Sequence, residues 1–422
     1  MRTLSLSAMF AVLGAVLVSL PQYLSLAMPA RGAPAPGPAI VDASQFADLQ
    51  AAFDAVPEQG GLVRLPPGEF EVIRPLVLAR ENVRVEGCGA ATHLVNVNDE
   101  GQPALVLRHA DYPKDSRARV WRVQLADFRI SGNPKSGDGL RAEGVNEIYV
   151  SGLAIDHNGG NGISLVDCYE DPRVSDSILT YNAKAGLEIL RGHDIVVSAN
   201  QFEENLDALR CSDSFNLCMT GNAIDDHLRH GVVIENTYGS VVSGNMIEEC
   251  QGTAIIVDRD CYGITVSANV IAHNFAGGVD VRDGWGCAVS ANTFTIVSRN
   301  ALRVGPDSGR ITVSGNSFSN SHVGGETRRE EDYTAGWPAT SYASGVVLEK
   351  TSDVAVSGNL FTGLTHAAVT TVGECRRVLV SGNVMADLFR AEAGRGAAFD
   401  LRGVDDAVAG PNLIEKPFEV PR

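Results

Sequence analysis

A short motif returns about every 23 residues along most of this 422-residue chain. Each copy has an apolar residue, Ser or Thr, Gly or Ala, and then Asn, with another apolar residue two positions later. Clear copies place the Asn at Asn200, Asn222, Asn245, Asn269, Asn292, Asn316, Asn359 and Asn383. Weaker copies lie upstream at Phe128, Leu153 and Ser177, so the repeat indicates about eleven coils of a solenoid.

Each repeat also carries a second apolar segment with a period of two, such as Gly-Leu-Glu-Ile at 186–189 and Gly-Val-Val-Ile at 231–234. That period, in short runs bounded by Gly, Asn, Asp or Ser, is typical of β-strands. Coils of 22–25 residues with three short strands predict an all-β, single-stranded, right-handed parallel β-helix. Asn suits the bend because it tolerates left-handed backbone and can bond to the Asn of the next coil.

The two ends of the chain have different compositions. Residues 1–30 carry Arg2 and then a largely apolar stretch, which predicts a signal peptide and export to a secreted, periplasmic or cell-surface location. An uncleaved membrane anchor is the alternative. A capping helix is expected from Ser44, as its N-cap, to Val56. We divide the chain into signal peptide 1–30, linker 31–40, cap and first coils 41–117, β-helix 118–400 with a loop insertion at 322–340, and C-terminal tail or cap 401–422.

The formal net charge is −17, which argues against nucleic acid and anionic membranes as partners. A polyanionic glycan would need a local basic strip or bound cations, whereas a neutral glycan would not. The eight cysteines form no C-x-x-C pair, so buried thiols are favoured over specific disulfides. We expect a monomer.

The segment LQAAFDAVPEQGGLVRLPPGEFEV (49–72), followed by NVRVEGCG (82–89), resembles the start of proteins of the pectate-lyase superfamily. With the coils, the resemblance covers about residues 45–400. It implies a substrate cleft along the outer face of the sheet formed by the Gly-led strands. The superfamily includes pectate lyases, polygalacturonases, alginate-type lyases and mannuronan epimerases. The D-P-H-D motif of the epimerases is missing here, as are N-T-D and R-I-K of the polygalacturonases; only the fragments Asp225-Asp226-His227 and His230-Gly231 are similar.

Stacking of the coils predicts which side chains share that outer face, at about 5 Å from coil to coil. Acid–base chemistry on a uronate would use His230 as the base, Asp207 to orient it, and Arg210 to bind the substrate carboxylate. Glu235 and Asp258 would be like charges one coil apart, suited to a calcium site, to an acid and nucleophile pair, or to neither. Predicted substrate-binding residues are Glu188, Asp280, Arg282 and Arg303, with Trp337 of the insertion. Ion pairs are expected for Glu188–Arg210, Asp280–Arg303 and Asp258–Arg282.

The leading hypothesis is therefore an exported protein acting on a polysaccharide, as a lyase or epimerase of a uronate-containing glycan. A glycoside hydrolase on the same fold is one alternative. A non-catalytic carbohydrate-binding or surface scaffold protein is another, and a periplasmic partner in polymer export or metal delivery is a third. Calcium is the one cofactor that the carboxylates suggest.

Overall fold

The computed structural model describes residues 39–320, 343–391 and 396–415. The predicted signal peptide 1–30 and nearly all of the linker lie outside the described residues. So does the predicted insertion 322–340, with Trp337. No helix in the described ranges is long and apolar enough to cross a membrane.

The described chain winds through three sheets, A, B and C, in which every pairing between named strands is parallel. Sheet A comes first in each coil; its strands are Ile40–Asp42, Gly61–Arg64, Val83–Glu86, Val120–Ala126, Val145–Ser151, Arg173–Ser175, Val196–Ser198, Cys218–Thr220, Val241–Ser243, Cys261–Tyr262, Thr265–Ser267, Gly284–Trp285, Ala288–Ser290, Gly309–Ser314, Ser352–Ser357, Arg376–Ser381 and Val408–Ala409.

Sheet B follows the Asn-containing bend, and sheet C completes the coil. The strands of sheet B are Gly68–Val72, Thr92–Asn96, Arg129–Ser131, Ala154–Asp156, Ile178–Thr180, Gln201–Glu203, Ala223–Asp225, Met246–Glu248, Val270–Ala272, Thr293–Thr295, Ser317–Ser319, Leu360–Thr362, Val384–Ala386 and Leu413–Ile414. Those of sheet C are Leu76–Leu78, Leu105–Arg108, Leu140–Glu143, Ile163–Val166, Ala185–Leu190, Asp207–Ser212, His230–Glu235, Thr253–Asp258, Gly277–Val281, Asn300–Val304, Val346–Glu349 and Val369–Val372.

The predicted parallel β-helix is confirmed, but the count of about eleven coils is wrong. Sheet B has 14 strands in the described residues, which corresponds to about 14 coils. Two of the additional coils precede the first recognised repeat, where the motif is absent. The last one follows Asn383: strand Leu413–Ile414 pairs with Val384–Ala386, so the solenoid extends into the segment that we had assigned to the tail.

The interior is apolar, as the alternation of the strands requires. One inward position per coil of sheet B is filled by Phe294, Phe318 and Phe361, whose rings stack in parallel at 4.7 and 4.8 Å. All three are 1% exposed or less. Because identical rings stack in successive coils, the core favours one register between neighbouring coils, and that register also aligns the outer faces.

The Asn ladder is present, but the strained backbone lies one residue earlier than expected. From Asn200 to Asn383, each Asn Nδ2 donates to Oδ1 of the Asn in the next coil, at 2.9–3.0 Å, and Asn412 is the last acceptor. The left-handed residue is the preceding Gly or Ala, with φ of 55–69° at positions such as Ala268 and Gly244. This explains why the motif has a small residue before Asn.

A second Asn ladder, which the sequence analysis missed, stands at the bend between sheets B and C. Asn158 donates to Asn182, and Asn182 donates to Asn205, each at 2.9 Å. In the next coil, His227 occupies the position of the ladder Asn. Its Nδ1 lies 3.1 Å from the Asn205 carbonyl oxygen, and because that oxygen can only accept, Nδ1 carries the proton. Burial lowers the pKa of His227 to about 4, so this histidine is a neutral structural residue.

The N-terminal cap is a shorter helix than predicted. It spans Leu49–Asp54, and its N-cap is Asp48, whose side chain accepts a hydrogen bond from the Ala51 N–H. The predicted N-cap Ser44 instead lies in a separate 3-10 turn, Ala43–Gln45, capped by Asp42. The chain therefore forms two short helical segments where one longer helix was expected. The predicted apolar face still covers the first coil, through Leu49, Ala52, Phe53 and Val56.

Candidate functional site

The outer face of sheet C has the predicted register. One column of outward side chains runs through paired positions Ser164, Glu188, Arg210, Val233, Ile256, Asp280 and Arg303. A second column aligns Ser212, Glu235 and Asp258, and a third aligns Asp207 with His230. Consecutive coils therefore bring the predicted polar residues onto one surface.

Five arginines on this surface form what we call the arginine strip: Arg210, Arg229, Arg259, Arg282 and Arg303. Each pairs with one or more carboxylates, which are Asp207, Glu235, Asp258, Asp280 and Glu349. In most of these pairs the guanidinium is the outer partner: the Arg229 side chain is 43% exposed and that of Asp207 is 1% exposed. Likewise Arg259 is 58% exposed and Glu235 18%. The surface therefore presents guanidinium groups to solvent.

Asp207 is the buried anchor of the strip. Its carboxylate accepts hydrogen bonds from Arg229 through both Nε (2.9 Å) and Nη2, from Arg210 Nη1 (3.1 Å), and from the His230 backbone N–H (3.1 Å). Burial alone would raise the pKa of Asp207, but the hydrogen bonds of Arg229, His230 and Arg210 together hold it below its ordinary value. Asp207 is therefore a permanent anion that orients two arginines.

His230 is placed beside Asp207 as expected, but the two side chains do not bond as predicted. Asp207 contacts only the His230 backbone, while the ring Nδ1 accepts from the Thr253 backbone N–H at 3.0 Å. In the neutral imidazole, Nε2 must then carry the proton. Burial, only partly opposed by Asp207, lowers the pKa of His230 and favours this neutral form. In this arrangement His230 offers a hydrogen-bond donor to a ligand rather than a free base.

Glu235 and Asp258 are direct neighbours in the register, as predicted. Glu235 accepts from Arg210 at 2.9 Å and lies 3.8 Å from Arg259, and Asp258 lies 3.7 Å from Arg282. These guanidinium groups already balance the two negative charges and would repel a cation between them. The residues present therefore do not suit calcium at this pair.

The Asp280 carboxylate links two further coils of the strip. It accepts from Arg282 Nε at 2.8 Å and from Arg303 Nη1 at 3.0 Å, and Arg303 also donates to Glu349 at 3.1 Å through Nε. The predicted Asp280–Arg303 and Asp258–Arg282 ion pairs are thus confirmed. The result is a continuous chain of alternating charges from Asp258 to Glu349.

The predicted Glu188–Arg210 ion pair is wrong. No such pair occurs in the described part of the chain, because Arg210 extends in the other direction to Asp207 and Glu235. Glu188 instead accepts hydrogen bonds from Asn161 Nδ2 at 3.0 Å and Ser164 Oγ at 3.2 Å. Its carboxylate therefore belongs to a separate, neutral polar neighbourhood one coil away from the strip.

The sequence analysis missed Arg229, Arg259 and Glu349, which lie just before, just after and at the end of sheet C strands. A strict alternation assigns only strand-interior residues to the outer face. Arg259 has a φ of 59°, a left-handed conformation at the strand end from which its guanidinium reaches Glu235. The available signal was a charged residue at the end of a strand or directly next to it.

A second group of carboxylates lies where sheet B ends, outside the strip. Asp225, Asp226 and Glu249 can bring ligand atoms within 4.8 Å of one another, and so can Glu248, Glu249 and His273. Burial and the neighbouring carboxylates raise the pKa of Asp225 to about 6 and that of Glu249 to about 7. The fragment Asp225-Asp226 thus lies in an acidic bend at the end of a sheet B strand, where Asp226 has a φ of 52°.

The family follows from a match that spans most of the solenoid. The family model described as "Right handed beta helix region" matches residues 116–271 and again 253–400. The chain belongs to this family. This assignment agrees with the resemblance of about residues 45–400 to proteins of the pectate-lyase superfamily. No curated protein matches it.

Solved structures with the same fold are similar to this β-helix protein at low sequence identity. A PL6 alginate lyase in complex with a trisaccharide is 11% identical, with a TM-score of 0.52 over 89% of this chain and 85% of the other. The catalytic domain of Agl-KA is 13% identical, with a TM-score of 0.50 over 91% and 69%. The A-module of mannuronan C-5 epimerase AlgE6 from Azotobacter vinelandii is 16% identical, with a TM-score of 0.48 over 88% and 99%. These likenesses concern the fold.

Proposed function

We propose that this protein is exported, binds a uronate-containing polysaccharide along the outer face of sheet C, and acts on it as a lyase or epimerase. The observation that carries the proposal is the arginine strip, whose guanidinium groups lie outside the carboxylates that hold them. Arg282, for example, is 39% exposed above Asp280 at 14%. On a chain with a net charge of −17, such a strip gives a polyanion a place to bind.

The geometry suits a polymer with a carboxylate on each sugar. Successive coils of a β-helix lie about 4.8 Å apart, so the strip repeats its guanidinium groups along the axis of the solenoid. Guanidinium groups bind carboxylates through two parallel hydrogen bonds. Because Asp207 and Asp280 already fix the arginines beneath, little side-chain entropy is lost when a ligand binds.

Both lyases and epimerases of uronates begin by removing the proton next to the carboxylate. This step needs cationic groups or donors that stabilise the anion, and a base within reach of the proton. Arg210 and the Nε2–H of His230 would supply the stabilisation. Asp258 is the best placed base, since it accepts one backbone hydrogen bond, from Arg259 at 2.8 Å, and Arg282, at 3.7 Å, is its one arginine side-chain partner among the described residues.

The PL6 alginate lyase in complex with a trisaccharide shares this fold and so supports this substrate class. Glycoside hydrolysis is less well supported, because Glu235, which would have to act beside Asp258 as acid or nucleophile, accepts from Arg210 at 2.9 Å and lies 3.8 Å from Arg259. Non-catalytic glycan binding is the second candidate. It is favoured by one observation, namely that Nδ1 of His230 is already occupied by Thr253 and cannot accept a proton.

The test is a substrate panel with matched variants. Mature protein is incubated with alginate, pectin and neutral glycans, with calcium or with a chelator, and unsaturated products, reducing ends and epimer composition are measured. We expect turnover of a uronate polymer only. Asp258→Asn should abolish turnover and keep binding, whereas Arg402→Gln, an exposed arginine paired with Asp400 outside the strip, should change neither.

The outcomes separate the candidates. Binding of a uronate polymer without any turnover would leave glycan binding as the function and remove the enzyme. Equal turnover by wild type and Asp258→Asn would show that the base lies elsewhere. No binding of any uronate polymer would overturn the proposal as a whole.

A further inference from the structure

A cavity of about 480 Å³ opens at the end of sheet B, where the chain leaves strands Arg129–Ser131, Ala154–Asp156 and Ile178–Thr180. Its lining includes Arg129, Gly132, His157, Asn158 and Tyr181. None of these residues belongs to the arginine strip. Cavities of this size that combine apolar walls with a few polar groups are typical of sites for small ligands.

One wall of the cavity is a pair of aromatic rings. The rings of His157 and Tyr181, from successive coils, stack with centroids 5.0 Å apart and an interplanar angle of 22°. Both remain accessible: the His157 side chain is 61% exposed and Tyr181 is 43% exposed. Exposed aromatic faces beside a cavity bind the apolar face of a sugar ring.

The polar part of the wall is held in place from below. Asp156, 7% exposed, accepts two hydrogen bonds from Arg129, at 2.9 and 3.0 Å, and one from His157 Nδ1 at 2.7 Å. The guanidinium and the imidazole are therefore fixed before any ligand arrives. The charge of Arg129 is balanced by the Asp156 carboxylate, so this pair offers donors to a ligand without a net charge.

The charge around the rim selects between sugars. The carboxylates of Glu204 and Glu203 raise the pKa of Tyr181, which reports a negative potential at the ring. That potential would repel the carboxylate of a uronate, but it would not repel the uncharged hydroxyl groups of a neutral sugar.

We propose that this cavity is a second carbohydrate site, which binds a single neutral pyranose ring against His157 and Tyr181. The ring packs on the aromatic pair, and its hydroxyl groups bond to Arg129. The site is independent of the sheet C face and differs from it in taking uncharged rather than acidic sugars. It would hold a neutral part of a polysaccharide or of a surface glycan while the strip engages acidic sugars.

The test is a titration of the full protein with methyl glycosides of glucose, mannose and galactose, and with the methyl glycoside of glucuronic acid, followed by saturation-transfer NMR. At least one neutral glycoside should bind saturably, and glucuronate at least about tenfold more weakly. Tyr181→Ala should weaken the neutral sugar by about tenfold or more, because the exposed aromatic contact is lost. His157→Ala should act in the same direction.

Tyr262→Ala is the matched control, since Tyr262 is a similarly exposed tyrosine (51%) that stacks on Tyr238 in sheet A, away from the cavity. It should leave sugar binding unchanged, and equal melting temperatures of all variants confirm folding. The proposal is overturned if no neutral glycoside binds, if glucuronate binds as well as the neutral sugars, or if Tyr181→Ala and Tyr262→Ala behave alike. Loss of uronate binding at the strip, by contrast, would leave this result unaffected.

Discussion

The substitution Asp207→Asn tests whether a buried carboxylate fixes the arginine strip. Asp207 is 0% exposed and accepts from Arg229 twice, from Arg210 once and from the His230 N–H. Asn keeps the size and one acceptor oxygen, but it turns an NH₂ group toward arginine donors. Charge-assisted hydrogen bonds contribute about 1.5–3 kcal/mol each, and the arginines can partly return to water, so we expect a loss of about 2–4 kcal/mol.

Hydrogen exchange is the suitable assay, because the coils of a solenoid can open locally. In strands Asp207–Ser212 and His230–Glu235 the amides should exchange roughly thirty- to thousand-fold faster in the variant, if they exchange by local opening. Asp353→Asn is the control: Asp353 also binds one arginine, Arg377, through two hydrogen bonds of 2.5 and 2.8 Å, but at the surface. It should change exchange little.

The effect should also depend on pH with a defined sign. The pKa of Asp207 is lowered in the folded protein, so its stabilisation is complete above the unfolded value of about 3.9 and is lost as pH falls through the folded pKa. The difference between wild type and Asp207→Asn should therefore be constant from neutral pH to about pH 5 and shrink below about pH 4. Unchanged exchange in the variant, or a difference that grows with acid, would refute the reasoning.

Three further predictions concern the solenoid itself. Asn269→Ala removes a buried ladder residue that accepts from Asn245 and donates to Asn292. It should lower the free energy of unfolding, measured in urea, by about 2–4 kcal/mol. Asn412→Ala, at the partly buried end of the ladder, should lower it clearly less. Glu249 has a raised pKa of about 7, so stability is lost as pH rises through that value, and Glu249→Gln should raise the melting temperature at pH 8 but not at pH 5. All eight cysteines are free and six are buried, so a thiol reagent should label exposed Cys88 first in the native protein and all eight only after unfolding.

The periodicity of the sequence was sufficient to predict the fold and the register of the sheet C face. One Asn per coil aligns the regular coils, and once they are aligned, Asp280 must stand next to Arg303 and Glu235 next to Asp258. The additional last coil escaped because its Asn412 follows Asn383 by a longer interval, with Pro411 in the place of the small residue. The repeat thus predicts position well wherever the coil length is regular.

Side-chain direction was not predictable in the same way. Arg210 has acidic neighbours on two sides, Glu188 and Glu235, and the burial of Asp207 decides the direction that its guanidinium takes. Arg259 reaches the face only because the chain turns into a left-handed conformation at the strand end. Both depend on contacts between coils, which a residue pattern does not contain.

The binding of a uronate oligosaccharide to the sheet C face tests the central claim most directly. Calorimetric titration compares a uronate hexasaccharide with a neutral one of equal length, for wild type, Arg282→Gln and the control Arg402→Gln. We predict that the wild type binds the uronate at least about tenfold more tightly, that Arg282→Gln loses about tenfold or more, and that Arg402→Gln loses nothing. Equal affinity for the two oligosaccharides, or equal losses for the two arginine variants, would contradict the account.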